Sequence, residues 1–397
     1  MSEFLESLET IRASDATVGR LFNGNDGRAI RTLRGNTQEY QRSLAEAATF
    51  LAEVYEGRRP LYHLREAMTT SDFPHLFGDV LDRSMLARYR GWEPTWREIA
   101  NRRANRDFRD VKRFLPNVGL EGRLTEVAEQ EEYSRDSLNE QAPITYAVRK
   151  FGRTAALSWE TFVNDDLDQF RDIPERFALA ARRTEERTVT ELYVGSAGPD
   201  STLYSTANKN RIHTENGALD DNTPLSIAGV QDGLTVLGNA VDEASEPIVI
   251  EMVTLVVPPA LAVTAENIVN AISIEVSGEV GGTSGQKLTV RNWLAGKLKV
   301  VVNPYIPITA STNKHTSWFM FANPSNGRPA LEIAFLRGHE EPEIFMKEPN
   351  ARSVRGGGSD PMNGDFATDS IEYKVRHVLG ATVLDPRMTV ASNGTSA

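Results

Sequence analysis

The chain contains no cysteine, so a disulfide framework, a thiolate zinc site and a cysteine nucleophile are all excluded. Stability has to come from packing and association, and the composition fits a reducing compartment. Long apolar runs are missing too: no stretch approaches the ~18 consecutive apolar residues that a bilayer requires. The N-terminus, MSEFLESLETIR, places Glu3, Glu6 and Glu9 where a signal peptide would be basic and then apolar. No membrane partner is expected. Histidine is scarce and scattered (His63, His75, His213, His315, His339, His377), and each reads as a surface or locally bonded imidazole.

Motifs of catalysis are absent in the same way. The glycine cluster Gly278–Gly285 lacks the lysine and hydroxyl that must directly follow a phosphate-cradling turn, since Lys287 is followed by Leu288. His339-Glu340 has no second histidine one helical turn on, and Pro342 interrupts any helix there. Gly195-Ser196-Ala197-Gly198 is not a nucleophile elbow. Asp165 and Asp166 are a carboxylate pair, but adjacent residues seldom converge on one substrate, and a cap ahead of the following helix is the better reading. No catalytic, metal or cofactor-binding residue is assigned, and no cofactor is expected.

What is present is globular: 397 residues, 40% hydrophobic and 25% charged, enough for two or three packed units, two being the starting expectation. Lys and Arg number 44 against 55 Asp and Glu, for a net charge of -11, so the whole chain would repel polyphosphate. The charge is uneven. Arg83 to Arg123 holds eleven basic residues against five acidic ones, and Glu126 to Glu140 six acidic residues against Arg135 alone. Two solvated faces, or attraction between subunits, would each account for that order.

The first 35 residues are polar and turn-rich and read as an arm or tail. From Asn36, Tyr40, Leu44, Ala47, Ala48, Leu51, Val54 and Tyr55 form one helical stripe, ended by Gly57. A second helix is expected over about Asp72 to Tyr89, burying Phe73, Phe77, Val80, Leu81, Met85 and Tyr89. Trp92 and Trp96 then need a partner surface. Asp107 to Trp159 reads as extended arms flanking a long polar tip. So few apolar residues cannot bury such a hairpin in its own domain, so it should lie on a neighbour. The longest helix is expected over Asp172 to Val194, with Pro174 in its first turn, Ile173, Phe177, Ala180, Ala181, Val189, Leu192 and Tyr193 inward and Arg182, Arg183, Glu186 and Arg187 outward.

After a polar stretch to Asn222 an α/β unit begins. Ile227, Val230, Leu234, Leu237 and Val241 share a helix face, Val253–Val257 suits a buried strand, and a helix follows over about Pro259 to Ile272. Val276 to Lys287 is glycine-rich without apolar period and reads as a loop. Leu298–Val302, Trp318–Phe321, Leu331–Leu336 and Glu343–Met346 are strand candidates. Ile371, Tyr373 and Val375 alternate with Glu372, Lys374 and Arg376, as in a half-buried strand. The last seven residues read as disordered.

Several pieces in order carry a resemblance. Asp107-Phe108-Arg109 comes first, then Leu124-x-x-Val127-x-Glu129-x-x-Glu132-Tyr133, then Tyr146-x-Val148-x-Lys150-Phe151-Gly152. Leu157-Ser158-Trp159-Glu160, Asn164-Asp165-Asp166-Leu167-x-x-Phe170 and Pro174 follow. Together they resemble the Mu-like major head protein family of tailed bacteriophages, as do Thr69–Pro74, the Trp96 region and Ile371–Arg376 before Gly380 and Asp385-Pro386.

The resemblance implies an α+β Hong Kong 97-type capsid fold. Its N-terminal arm would be residues 1–106, its extended loop 107–152, its peripheral domain 153–206 with 339–397 on a spine helix 172–194, and its axial domain 207–338. It implies a non-enzymatic major capsid protein that assembles as pentamers and hexamers into a virion shell, in the host cytoplasm, around double-stranded DNA held without sequence-specific contacts. Scaffold, portal and decoration proteins would be its other partners. A cellular nanocompartment shell of the same fold and a soluble multidomain hydrolase are the competing readings. Fold-level analogy alone does not establish function.

Overall fold

The computed structural model describes residues 73–114, 144–158, 167–212, 223–242, 246–271, 273–280, 283–292, 297–326, 328–347 and 365–395, with isolated positions elsewhere. The expected first helix and most of the long polar tip lie outside the described residues. Helix α1 (Phe73–Gly91) leads through a 3-10 turn at Thr95–Glu98 into β1 (Ala100–Asn105) and β2 (Val111–Arg113). Next come β3 (Ile144–Tyr146), β4 (Arg149–Ser158) and helix α2 (Leu167–Tyr193), closed by a minimal hairpin, β5 (Val194–Gly195) and β6 (Gly198–Pro199). Then follow α3 (Ile227–Gly238), β7 (Val253–Val257), α4 (Ala262–Asn270), β8 (Ser273–Val280), β9 (Thr283–Arg291), β10 (Leu298–Val302) and the short α5 (Ile306–Thr309). The chain closes with β11 (Trp318–Ala322), β12 (Leu331–Leu336), β13 (Glu343–Met346), β14 (Ser370–Val383) and β15 (Thr389–Ser392). Helices and segregated, mainly antiparallel sheets make this an α+β chain.

The long strand β14 organises the first sheet. On one side it pairs with β4, and on the other with β13 and then β12, all antiparallel. β1 adds parallel to β12. The alternation read in the sequence holds, with Ile371, Tyr373 and Val375 buried and Lys374 exposed. The second sheet runs β10-β7-β11-β15. Its central strands β7 and β11 are buried at every residue, because both faces are covered. Leu255, Val257, Trp318 and Met320 pack toward Val230 and Leu237 of α3 and Ala265 and Ile268 of α4. Alternate residues Val256, Phe319 and Phe321 meet Val189 and Tyr193 at the end of α2, together with Ile333, Phe335 and Leu379 of the first sheet. The period of two in a strand thus splits two cores from one sheet. Each fully buried large side chain contributes ~1.5–3 kcal/mol.

Several expectations need correction. The long helix starts at Leu167, so Pro174 lies inside it and not in its first turn. Its 27 residues span ~40 Å at ~1.5 Å rise each. The glycine-rich stretch read as a loop forms the β8–β9 hairpin, irregular between Gly278 and Val280. Trp96 is 2% exposed as expected, but Trp92 is 38% exposed. Val241 lies beyond α3 and is exposed. The tail is ordered at its start: Ala391 and Ser392 complete β15, and the Gly394 N–H donates to Ser392 Oγ at 3.1 Å. Pairing also crosses the boundaries drawn from sequence. β1 and β12 join β14 in the first sheet, while β15 joins β11 in the second.

Candidate functional site

The buried face of α2 is not purely apolar. Phe177, Ala178, Ala181, Val189 and Tyr193 share it with Arg182, Glu185 and Glu186, which are 2%, 0% and 4% exposed. Arg182 and Glu186, expected on the outward face, are buried instead. Glu185 accepts from Tyr89 Oη at 2.5 Å, His377 Nε2 at 2.9 Å, Trp96 Nε1 at 3.0 Å and Arg182 Nη1 at 3.0 Å. Arg182 also donates from Nε and Nη2 to the Tyr89 carbonyl at 2.8 and 2.7 Å, and its guanidinium lies 3.6 Å from the Tyr89 ring centroid. That carbonyl belongs to the last turn of α1, where a cation meets the negative end of the helix. Glu186 accepts the backbone N–H of Thr95 and its hydroxyl, the latter at 2.6 Å.

Burial of a carboxylate without partners would be costly, and a full set of donors offsets it. Burial alone pushes Glu185 up, yet His377, Arg182 and Tyr89 hold its carboxyl below the usual carboxylate range. Glu186 has hydroxyl and amide donors but no such cation, and burial leaves it above that range. Burial, and then the Glu185 charge, push the Tyr89 phenol well up. The Glu185–His377 pair has the form of an acid–base relay. A relay needs a nucleophile on the far ring nitrogen, and His377 Nδ1 has no hydrogen-bond partner among the described residues. The cluster is a clamp that joins α1, the Trp96 turn, α2 and β14.

A second buried anion anchors the root of the extended segment. β2 and β3 pair from Val111–Tyr146 to Arg113–Ile144. Arg113 engages both oxygens of Glu332, with Nε to Oε1 at 2.9 Å, and the Tyr146 hydroxyl donates to the same carboxylate. Glu332 is 0% exposed, in the middle of β12. Its hydrogen bond raises the Arg113 guanidinium further above its ordinary range. Tyr146 and Val148 pack on Ala334, Leu336 and Val378. The β2–β3 root is fixed to the first sheet.

Among the described residues, those singled out by the resemblance are distributed, not convergent. Asp107, Phe108 and Arg109 form an exposed turn between β1 and β2, where Asp107 Oδ1 accepts the Arg109 N–H at 3.2 Å and Phe108 is 53% exposed. Glu129 is exposed. Gly152 lies in β4, where an added Cβ would stand 2.7 Å from the Val375 carbonyl oxygen. Pro174 is buried in α2. Glu132, Tyr133, Trp159, Asn164, Asp165 and Asp166 lie outside the described residues. Among the described residues no cluster of metal-ligating side chains occurs, and no helix is long and apolar enough to cross a membrane.

Glu185 and Glu332 were missed, and one of them left a signal. Glu185 falls four residues after Ala181 and four before Val189, on the apolar stripe. Glu332 sits in a short apolar run whose two buried faces hide any alternation.

The family model of phage capsid proteins matches residues 141–392, well over half of the chain, and the chain belongs to that family. No curated protein matches it. Among solved structures it is similar to the holo-SrpI encapsulin complex of Synechococcus elongatus PCC 7942, at 11% identity over 77% of this chain and 89% of that one, with a TM-score of 0.42. Gordonia phage Cozz gives 15% identity over 75% and 85%, with a TM-score of 0.42. The mature capsid of bacteriophage PhiM1 gives 10% over 76% and 87%, also with a TM-score of 0.42. Likenesses this loose carry no weight for function.

Proposed function

We propose that the chain is the major capsid protein of a tailed bacteriophage, a Hong Kong 97-type shell subunit that assembles as pentamers and hexamers around double-stranded DNA. Membership of the phage capsid family over residues 141–392 carries the reading. The rooted β2–β3 segment supports it, since a long polar excursion gains its ordering contacts only from neighbours. In this reading residues 1–106 are the arm, 107–152 the extended loop, 153–206 with 339–397 the peripheral domain and 207–338 the axial domain, with β12 packed into the peripheral sheet and β15 into the axial one. The Mu-like subtype rests on the ordered motif pieces alone. The role is structural, not enzymatic, with assembly in the host cytoplasm and scaffold, portal and decoration proteins as further partners.

Negative-stain electron microscopy of the purified chain, with sedimentation velocity on the same sample, tests this. Closed shells, or uniform pentamers and hexamers, are the expected result. A compact monomer at high concentration, unchanged by salt or by a co-expressed scaffold, would overturn it and bring the hydrolase reading forward. Shells that enclose protein cargo and never nucleic acid would move the assignment to a nanocompartment.

A further inference from the structure

The flank of α2 away from the clamp is mainly basic. Arg176, Arg183 and Arg187 lie seven and four residues apart, which puts them on one exposed stripe. Arg153 of β4 faces the same space, and with Phe151, Ala180 and their neighbours these residues line a groove of about 780 Å³ between the helix and the strand. Glu191, paired with Arg187 at 2.7 Å, is the one carboxylate among the lining residues. Four guanidinium groups in one concave surface run against the net charge of -11. Arg183 and Arg187, one turn apart, also repel each other within the helix. Such a patch stays favourable when a polyanion fills it.

We infer that this groove seats the phosphodiester backbone of duplex DNA, without regard to base sequence. The inference rests on the capsid reading, because duplex DNA is the polyanion a phage shell subunit encloses. Arginine suits the task, since its planar fork engages two phosphate oxygens at once. From Arg176 to Arg187 the stripe runs ~16 Å along the helix at ~1.5 Å per residue. That length equals about five base-pair steps of axial rise, at ~3.4 Å each. The walls between the arginines are Ala180, Thr184 and Thr188, too short to reach base edges in a groove of the duplex, so the contact positions DNA and does not read it. A weak seat repeated on every subunit orders the outermost DNA while the net negative charge elsewhere keeps it from adhering.

The test is fluorescence anisotropy of a dye-labelled duplex of about 20 base pairs titrated with the unassembled full-length chain, at salt from about 50 to 200 mM. Binding should be equal for two unrelated sequences and fall with salt at a log–log slope of about -3 to -4, the value for three to four neutralised phosphates. The double variant Arg153→Gln/Arg183→Gln keeps the Arg187–Glu191 pair and changes two exposed side chains of the groove. It should bind at least about tenfold more weakly at the low-salt end, with a slope shallower by about 2, and still form shells. Unchanged binding by the double variant, or no binding at the lowest salt, would overturn the seat. So would capture of a synthetic Glu126–Glu140 peptide in place of the duplex, which would make the acidic segment of a second copy the occupant. Loss of duplex binding with intact shells strikes the groove alone, whereas absence of shells in the parent chain strikes the capsid reading.

Discussion

Two adjacent glutamates on α2 have opposite consequences for stability. Glu185 is held below the usual carboxylate range by its cationic and phenolic donors. Its contribution is therefore complete above the unfolded value of about 4.3 and disappears as pH falls through the lowered folded value. Glu186 is pushed up by burial, so its contribution is complete below about 4.3 and is lost as pH rises through the raised folded value. Glu185→Gln leaves Arg182 buried without its anion and should cost about 3–5 kcal/mol near neutrality, with the gap to the parent closing in acid. Glu186→Gln should cost less at neutral pH than Glu185→Gln, and its effect should become more favourable relative to the parent as pH rises. Urea denaturation of both variants between about pH 3.5 and 7.5, around the carboxylate range, checks the signs. Parallel pH profiles for the two would show that Arg182 and His377 do not distinguish them.

At the scale of elements, one tight joint is where β14 passes under the end of β3. A Cβ on Gly380 would stand 2.5 Å from the Ala147 carbonyl oxygen and 3.0 Å from Val148 Cα, both backbone atoms that no rotamer change can clear. Gly380→Ala should destabilise by about 1–3 kcal/mol. Gly91→Ala, with nothing within 4 Å of the new methyl, should lie within about 0.5 kcal/mol of the parent. The midpoints of urea unfolding give both numbers, and equal midpoints would mean that the sheet slides to admit the methyl. Elements with a sustained period were legible. α1, the body of α2, α3 and the alternation of β14 all follow from where their apolar residues fall. What lacked a side-chain period was not. The β8–β9 hairpin is joined by backbone hydrogen bonds through glycine-rich sequence. The extra turn of α2 ahead of Pro174 opposes local propensity and needs tertiary support. The clamp was illegible for another reason. Tyr89, Trp96 and His377 stand 96, 89 and 192 residues from Glu185 along the chain, and charged side chains on a helix read as solvated until such partners are seen.

At the scale of the whole molecule, the proposed extended loop serves assembly. The root at Arg113–Ile144 is fixed by Glu332 from a different part of the chain. Replacing residues 114–143 by an Asn-Gly turn keeps that pairing with a loop suited to a tight hairpin. It also removes the closure entropy of about thirty residues, worth ~2 kcal/mol. The shortened chain should therefore show an unchanged or higher Tm and the same circular dichroism, while forming no closed shells under conditions where the parent does. A companion variant with Glu126, Glu129, Glu131 and Glu132 changed to Gln and Asp136 to Asn keeps the segment length and removes its net charge. If attraction between the acidic segment and a basic neighbour drives closure, this variant assembles poorly and the parent loses assembly with rising salt, because contacts beyond the screening length of ~8–10 Å fade. If the neutral variant assembles normally while the shortened one does not, reach matters and charge does not. Shells from the shortened chain would show that the subunits meet through the rigid framework alone, and the extended loop would lose its role in assembly.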